Sequence, residues 1–332
     1  MLFKIQDNKL LVNRHLEKLM RWETFLVALL LFEIIIFGAI NPRIFRPRIL
    51  FGSINDFTSI CIISIFVTFV LITGGMDIQS GSIVGLSSIV LGIVWQKTGW
   101  NIWAVCCITI FTGAFCGLFS GFVSVYTKVP PMVVTLGGSF LYTGLAITIT
   151  KMARIESHTG ISNFPEYFTS FTNRSIFDIP FQFFIFVFLT VMAHILLHRT
   201  KYGRYVYLCG INPNTATYSG INSRLIVVST YVISGAAASL AGIIFTSYLG
   251  TAKADFGKEL TLPIITAVVL GGTSIFGGKG TVVGTALAAL VIGIMRFGLS
   301  MIGLSTQYLD IPVGILLIVA VGARHLMGTS KY

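Results

Sequence analysis

The chain has 332 residues, of which 55% are hydrophobic and only 11% charged, against roughly 25% charged residues in an ordinary soluble domain. With 27 Phe and a mean hydropathy of +0.87, it holds more apolar material than one aqueous core can bury. This excludes a water-soluble fold and indicates a polytopic membrane protein. The net charge of +11 is ascribed to basic loops that orient spans, and we expect no nucleic-acid partner.

Apolar segments of about 20 residues predict membrane-spanning helices and not β-strands, so we expect an all-α protein. The clear spans, in chain order, are residues 23–40, 57–73, 82–96, 102–126, 132–150, 181–197, 225–249 and 281–300. Two shorter apolar segments, residues 263–275 and 311–323, are expected to be tilted, broken or re-entrant. The expected architecture is about ten transmembrane helices in a single domain, residues 1–332.

Loop charge predicts the orientation of these spans. An even number of spans places both termini on one side, and a cytoplasmic N-terminus leaves more Lys and Arg inside than outside. We therefore expect both termini in the cytoplasm, with residues 1–22 as a cytoplasmic segment. Arg296 lies near the outer end of its span, where its side chain is expected to reach the interface.

Two stretches share a pattern in which a hydrophobic helix ends in Gly-Gly, a short polar stretch follows and a new helix begins. The pairs are Gly74-Gly75 and Gly271-Gly272. Transporters use such interrupted helices for non-helical backbone within a protected cavity, although Gly-Gly also ends ordinary helices. Together with the residues just after the first pair, they give the candidates for the transport pathway or its gate: Gly74, Gly75, Asp77, Gly81, Gly271 and Gly272.

Two carboxylates lie within the apolar segments, where an ionised group is costly. Asp77 precedes a helix, so its first interpretation is an N-cap and its second a substrate or gating group. Glu33 lies in mid-span and is expected to contact a neighbouring helix, with a role in transport as the alternative.

Small residues predict a tightly packed bundle. Gly113, Gly117 and Gly121 share one helix face, and residues 234–242 give a second smooth face. Both allow helices to approach closely in lipid.

Residues 198–224 form a long polar stretch, expected to be a cytoplasmic loop. Asn212-Pro213 can begin a short helix of about two turns that Gly220 ends, and such a helix is suited to docking a cytoplasmic partner. A connecting loop with an incidental turn is the alternative interpretation.

No pattern predicts catalysis. Residues 272–281 resemble a phosphate-binding loop, but an extra glycine breaks the spacing and Gly280 follows Lys279. The histidines lack metal-ligand spacing, and no nucleophile with a base and an oxyanion site is evident. We therefore expect no metal, no cofactor and no enzymatic activity in this chain.

Three motifs carry a resemblance to a known family. Residues 74–82 (GGMDIQSGS), 129–137 (VPPMVVTLG) and 267–280 (AVVLGGTSIFGGKG) are similar to its G-G-I-D-L-S-x-G-S, I-P-P-F-I-V-T-L-G and A-V-V-L-G-G-T-S-L-x-G-G-R-G. Over nearly its whole length the chain resembles permease subunits of bacterial ABC importers for ribose, related sugars and autoinducer-2. Residues 37–43 and 262–267 are most similar to the autoinducer-2 branch.

The resemblance also has departures. The family's coupling loop reads N-P-E-A-A-x-x-S-G-I, but Asn214 replaces the acid and Thr215 the first alanine. Gln79 stands where the family usually has serine. The first departure removes a possible salt bridge to the ATPase without removing the docking helix.

The resemblance implies ATP-driven import of autoinducer-2 across the bacterial inner membrane, or alternatively of ribose or another monosaccharide. It implies as partners a related second permease or a second copy of this chain, two ATP-binding subunits that hydrolyse the ATP, and a periplasmic substrate-binding protein. Residues 198–224 would then be the coupling loop, and the residues expected to transmit the cytoplasmic event are Gly210, Asn212, Pro213, Ala216 and Gly220.

Residues 151–178 would face the binding protein or simply be a solvated loop. The competing functional class is an ion-coupled secondary transporter with Glu33 and Asp77 as relay groups. A receptor or scaffold without transport is a third.

Overall fold

The computed structural model describes residues 22–127, 129–154, 160–305 and 308–329. These residues form fourteen α-helices, one 3₁₀ turn and one short β-hairpin. The expectation for the cytoplasmic segment 1–22 falls, except for Trp22, outside the described residues.

The first half of the chain contains mainly long helices. In order they are α1 (Trp22–Ile40), the 3₁₀ turn Pro42–Phe45, α2 (Pro47–Gly52), α3 (Ile54–Ile72), α4 (Ser80–Thr98), α5 (Ile102–Tyr126) and α6 (Pro131–Met152).

The second half alternates short and long elements. They are α7 (Glu166–Asn173), the hairpin β1 (Ser175–Ile176) and β2 (Ile179–Pro180), α8 (Phe181–Arg199), α9 (Lys201–Ile211), α10 (Pro213–Tyr218), α11 (Ser223–Leu249), α12 (Thr261–Leu270), α13 (Val282–Met301) and α14 (Asp310–Thr329). The hairpin strands are antiparallel, with Ser175 opposite Pro180.

In the described part of the chain, seven helices are long and apolar enough to cross a membrane, namely α1, α3, α5, α6, α8, α11 and α13. This confirms the coarse prediction of a helical, polytopic membrane protein. The other expected spans correspond to α4, α12 and α14. The helix α4 has 19 residues but carries four serines, and α12 has only 10 residues.

The core of the bundle lies around α3 and α11. The apolar stretch of α3 is 89% buried, the highest share among the seven spans. The helix α11 packs most extensively against α5 and also contacts α3 and α4, while α13 packs against α1 and α3. Long helices at the periphery expose large apolar side chains, as a lipid-facing surface requires.

The predicted close approach of helices is confirmed between α5 and α11. A Cβ atom on Gly117 would overlap the carbonyl oxygen of Tyr231, and one on Gly235 would overlap that of Gly113. Backbone therefore packs directly on backbone at this interface.

Both predicted helix interruptions are present. The helix α3 ends at Ile72 and α4 begins at Ser80, while α12 ends at Leu270 and α13 begins at Val282. We call residues 271–281 the inner segment.

A further non-helical stretch, residues 250–260, joins α11 to α12 and lies along α4. We call it the outer segment. A Cβ atom on Gly81 would overlap the carbonyl oxygen of Gly257, and the backbone N–H of Lys253 donates to Ser88 Oγ at 3.2 Å. Ala252 pairs with Ile161 in an isolated antiparallel bridge.

Residues 198–224 are more ordered than the sequence suggested. They were expected to be a long loop with one short helix, but they also contain the whole of α9. Glycine and aromatic or β-branched residues give α9 a weak helix propensity, and packing against α8 and α11 compensates for it.

Candidate functional site

Asp77 lies in the break between α3 and α4 and is only 1% exposed. Its Oδ2 accepts hydrogen bonds from Ser80 Oγ at 2.7 Å and Ser234 Oγ at 2.5 Å, and its Oδ1 accepts the Gln79 N–H at 3.2 Å. The N-cap residue of α4 is Gln79, so the prediction that Asp77 is the N-cap is wrong, and Asp77 instead accepts the N–H of the N-cap residue. Asp77 also links α4 to α11, which the sequence did not indicate.

Gln79 extends this network to α5 and α6. Its Oε1 accepts a hydrogen bond from Ser120 Oγ at 2.6 Å, and Ser120 in turn lies 3.1 Å from the Tyr142 hydroxyl. The Nε2 of Gln79 is buried and has no hydrogen-bond partner among the described residues. We call Asp77, Gln79, Ser80, Ser120, Tyr142 and Ser234 the polar cluster.

A second site forms where α3, α9 and the inner segment meet. A Cβ atom on Gly210 would overlap the carbonyl oxygen of Ile72, and that same oxygen accepts the Gly278 N–H at 2.8 Å. A Cβ atom on Gly277 would lie 2.9 Å from both Gly210 O and Gly74 N. We call Gly74, Gly210, Gly277 and Gly278 the glycine junction.

Tyr207 makes a second link between α9 and the inner segment. Its hydroxyl donates to the carbonyl oxygen of Gly280 at 2.6 Å. Burial raises the pKa of Tyr207 to about 12, which widens the pH range over which the hydroxyl can act as a donor.

The short helix predicted after α9 is present as α10. The Asn212 side chain accepts the N–H groups of Asn214 and Thr215 at 3.0 and 3.1 Å, and Pro213 is the first helical residue. Both are standard features of a helix start. Ala216 is buried on the inner side of α10, whereas Tyr218 is 92% exposed.

Gly220 ends this turn with a φ of +80° and no atom within 4 Å of a Cβ position. A left-handed residue is what closes a helix of this kind, so its role in the local fold is backbone conformation. Its surroundings leave room for a partner.

The remaining glycine candidates pack at separate places. A Cβ atom on Gly75 would lie 2.6 Å from the Tyr231 hydroxyl, and one on Gly271 would lie 2.5 Å from the Cα of Thr285. Gly272 lies beside Trp22, whose Nε1–H donates to the carbonyl oxygen of Leu270 at 2.5 Å.

Among the described residues, the pathway candidate Gly74 and the coupling candidate Gly210 come close to each other at Gly277. Gly81 lies beside the outer segment, and Gly271 and Gly272 lie beside α13 and α1. Sequence reasoning missed Ile72, Tyr207 and Ser234. It considered Gly277-Gly278 as part of a broken phosphate loop and of the motif at residues 267–280, but not as a site of close backbone contact, which a Gly-Gly pair can signal.

The two charged residues predicted within spans, Glu33 and Arg296, have different surroundings in the structure. Glu33 is 8% exposed, within the bundle, and its Oε2 has no hydrogen-bond partner among the described residues. Arg296, expected to reach the interface from the outer end of its span, lies 2.5 Å from Asp310 and 3.7 Å from Glu259, two carboxylates that are 41% and 58% exposed. The pairing compensates the cost of placing its charge within a span.

In the described parts of the chain, no group of three or more His, Cys, Asp or Glu could hold a metal ion.

Comparison with known proteins gives consistent matches. Residues 49–321 match the family described as "Branched-chain amino acid transport system / permease component". The chain is 40% identical over 307 residues to the autoinducer 2 import system permease protein LsrD of Klebsiella pneumoniae, with 92% of each chain covered.

The proteins of the same name from other bacteria are equally similar. The identity is 39% to that of an Enterobacter species, over 92% of this chain and 94% of the relative, and 41% to that of Salmonella typhimurium, over 92% of each. No solved structure matches the chain.

Proposed function

We propose that this chain, which belongs to the family of branched-chain amino acid transport system permease components, is the membrane subunit of an ATP-driven importer of autoinducer-2. The observation that carries the proposal is the similarity, over 92% of the chain, to import permeases of that name. The chain is a multi-pass protein of the inner membrane and a permease component of a transporter. Ribose or another monosaccharide is the alternative substrate.

Ten spans and two cytoplasmic termini are part of the proposal. The seven apolar spans support it, together with α4, α12 and α14 as further crossings or partial crossings. In this orientation α10, the glycine junction and Trp22 face the cytoplasm, and the outer segment faces the periplasm.

The proposed coupling element is α10 with its flanks, residues 198–224. An ATP-binding subunit would dock on the exposed face of α10 near Tyr218 and Gly220, and ATP hydrolysis would occur there and not in this chain. Asn212 and Pro213 fix the start of α10, Ala216 anchors it to the bundle, and Gly210 connects it to α3. Because Gly210 leaves no gap at Ile72 and Tyr207 holds Gly280, a displacement of α10 would be transmitted to two segments at once.

Those two segments contain the proposed gate. One leads through Gly74 and Gly75 to Asp77 and Gly81, and the other is the inner segment after Gly271-Gly272. Interrupted helices change direction more easily than continuous ones because their backbone hydrogen bonds are already broken. A two-state shift of these segments would alternate access to the pathway.

The proposed complex contains a related second permease or a second copy of this chain, two ATP-binding subunits and a periplasmic substrate-binding protein. The binding protein would approach the described parts of residues 151–178, including α7. Bilayer lipid would cover the peripheral helices.

The first test is reconstitution of the complete complex in liposomes with the binding protein outside and ATP inside. We expect ATP-dependent uptake of autoinducer-2 and no uptake of ribose. Ribose uptake alone would retain the mechanism and change the substrate. Uptake that needs no ATP-binding subunit but collapses with the membrane potential would replace the proposal with an ion-coupled transporter.

The second test addresses coupling through α10. Gly220→Arg adds bulk on the proposed docking face, where no atom lies within 4 Å of a Cβ position, and also strains the backbone at its positive φ, so the complex should fail to stimulate ATP hydrolysis. Gly220→Ala is the matched control, since it imposes the same backbone strain without the bulk and should keep coupling if the docking face is what matters. If the Gly220→Arg complex assembled and imported ligand at the normal rate, the docking role of this face would be wrong.

A further inference from the structure

A cavity of about 530 Å³ opens between α3, α11, α13 and the outer segment. Its lining includes three acidic and three basic side chains, namely Asp56, Asp255, Glu259, Lys253, Lys258 and Arg296. We call it the charged cavity. Its volume lies within the range of about 300–1,000 Å³ typical of small-molecule sites.

The cavity also has aromatic walls. Phe245 of α11 and Phe256 of the outer segment meet edge to face, with ring centroids 4.8 Å apart. Phe57 and Phe297 line the cavity as well, from α3 and α13. The ring of Phe57 packs directly on Gly293, which fixes that wall.

Charged groups show that this cavity faces water and not lipid. Asp255, Lys258 and Glu259 are exposed, and exposed charges in hydrocarbon would each cost about 3 kcal/mol or more. The lining is also electrically balanced, because its acidic and basic side chains are equal in number. A balanced lining favours neither an anion nor a cation.

We propose that the charged cavity binds a neutral, hydroxyl-rich small molecule at the entrance of the pathway, which deepens the proposed function and rests on it. Carboxylates, ammonium groups and guanidinium groups form strong charge-assisted hydrogen bonds with hydroxyl groups. The Phe rings supply flat apolar surface for the C–H face of a small ring compound.

The charged side chains of the cavity have hydrogen-bonding groups left over for such a ligand. Among the described residues, Asp56 accepts a side-chain hydrogen bond from the Tyr248 hydroxyl at 3.2 Å through one carboxylate oxygen, and its other oxygen has no such bond. Arg296 is fixed by Asp310 on one nitrogen and lies at 3.7 Å from Glu259 on the other. In the polar cluster, by contrast, both oxygens of Asp77 are already bonded to protein donors.

The first experiment measures ligand imported per ATP hydrolysed by the reconstituted complex, using autoinducer-2. Phe256→Ala removes one aromatic wall, and we expect the ratio to fall about fivefold while ATP hydrolysis continues. Phe188→Ala, which removes an aromatic ring that is 67% exposed on α8, is the matched control and should leave the ratio unchanged.

The second experiment detects occupancy directly. Ser300→Cys places a thiol at the exposed rim of the cavity, in a background where the exposed native Cys107 is changed to Ser. Free autoinducer-2 at about ten times its dissociation constant should slow maleimide labelling about tenfold, without binding protein. Ser305→Cys, exposed but outside the cavity lining, is the control that the ligand should not protect.

The outcomes separate the two proposals. If the wild-type complex imports autoinducer-2 but Phe256→Ala keeps the normal ratio and Ser300→Cys is labelled at an unchanged rate, the cavity proposal is wrong and the function stands. If the wild-type complex imports ribose instead, and ribose protects Ser300→Cys, the cavity proposal stands for that ligand. Absence of all uptake by an intact complex would overturn the proposed function, and protection without uptake would identify a binding site of another kind.

Discussion

At residue 210, the missing side chain allows α9 to touch the end of α3. We expect Gly210→Ala to force Ile72 and Gly278 apart, because a Cβ atom would overlap the oxygen that joins them. Overpacking of this kind costs about 1–3 kcal/mol. The melting temperature in detergent should fall, together with the ligand imported per ATP.

Gly137→Ala is the control for that prediction. No atom lies within 4 Å of a Cβ position at Gly137, so this change should not lower the melting temperature and should leave the ligand imported per ATP unchanged. Equal melting temperatures for the two variants would show that the glycine junction is looser than described.

Ser234 gives a second prediction at the residue scale. Its hydroxyl donates to Asp77 Oδ2 from another helix, so Ser234→Ala leaves a buried carboxylate short of one donor. The expected loss of stability is about 1–3 kcal/mol, measured as a lower melting temperature. Ser139→Ala removes a hydroxyl that bonds only to its own helix at Leu136, and it should be nearly neutral. A neutral Ser234→Ala would mean that the Asp77 charge is compensated elsewhere.

Single residues were predictable from the sequence where their role is local. Asn212 and Pro213 indicate the start of α10 in the sequence, because capping depends only on adjacent residues. The partners of Arg296 and Gln79 were not predictable, since they depend on which helix faces are in contact across a bundle. Asp310 lies on the next helix and Ser120 is 41 residues away from Gln79.

At the scale of the elements, the α5–α11 interface depends on small residues. Gly117→Ala would bring a methyl group against the backbone of Tyr231 on α11. The helix α11 also packs against α3, so a displacement of α11 would disturb the core of the bundle. We expect a loss of about 1–3 kcal/mol, seen as lower thermal stability and poorer recovery of folded protein. Gly144→Ala on α6, with no atom within 4 Å, is the matched control. Indistinguishable variants would contradict a tight α5–α11 contact.

The elements were predictable to different degrees. The two interrupted helices follow from their Gly-Gly pairs, because glycine followed by polar residues stops an apolar helix. The helix α9 did not follow, since its stability comes from packing against α8 and α11 and not from its own composition.

At the scale of the whole molecule, Arg296 connects the last two long helices and the outer segment. Arg296→Met should lower the free energy of unfolding by about 1–2 kcal/mol, seen as a lower melting temperature. The reason is that the half-buried carboxylate of Asp310 then has lost its cationic partner. The double variant Arg296→Met, Asp310→Leu removes both charges and should recover most of the loss. A double variant no more stable than the single one would contradict this account, because the loss would then not come from an unpaired Asp310.

The outer segment has a consequence for how this protein can change its length in evolution. Connections between helices usually tolerate inserted residues. Here Gly257 lies against Gly81, Ala254 against Gly85, and Lys253 against Ser88, all on one face of α4. An inserted residue after Ala254 would bring the ring of Phe256 toward the position of Gly257, where there is no room for a side chain. The connection between α11 and α12 therefore does not tolerate the insertion of even one residue. Relatives with a longer connection should have other residues than glycine and serine on the face of α4 that it contacts.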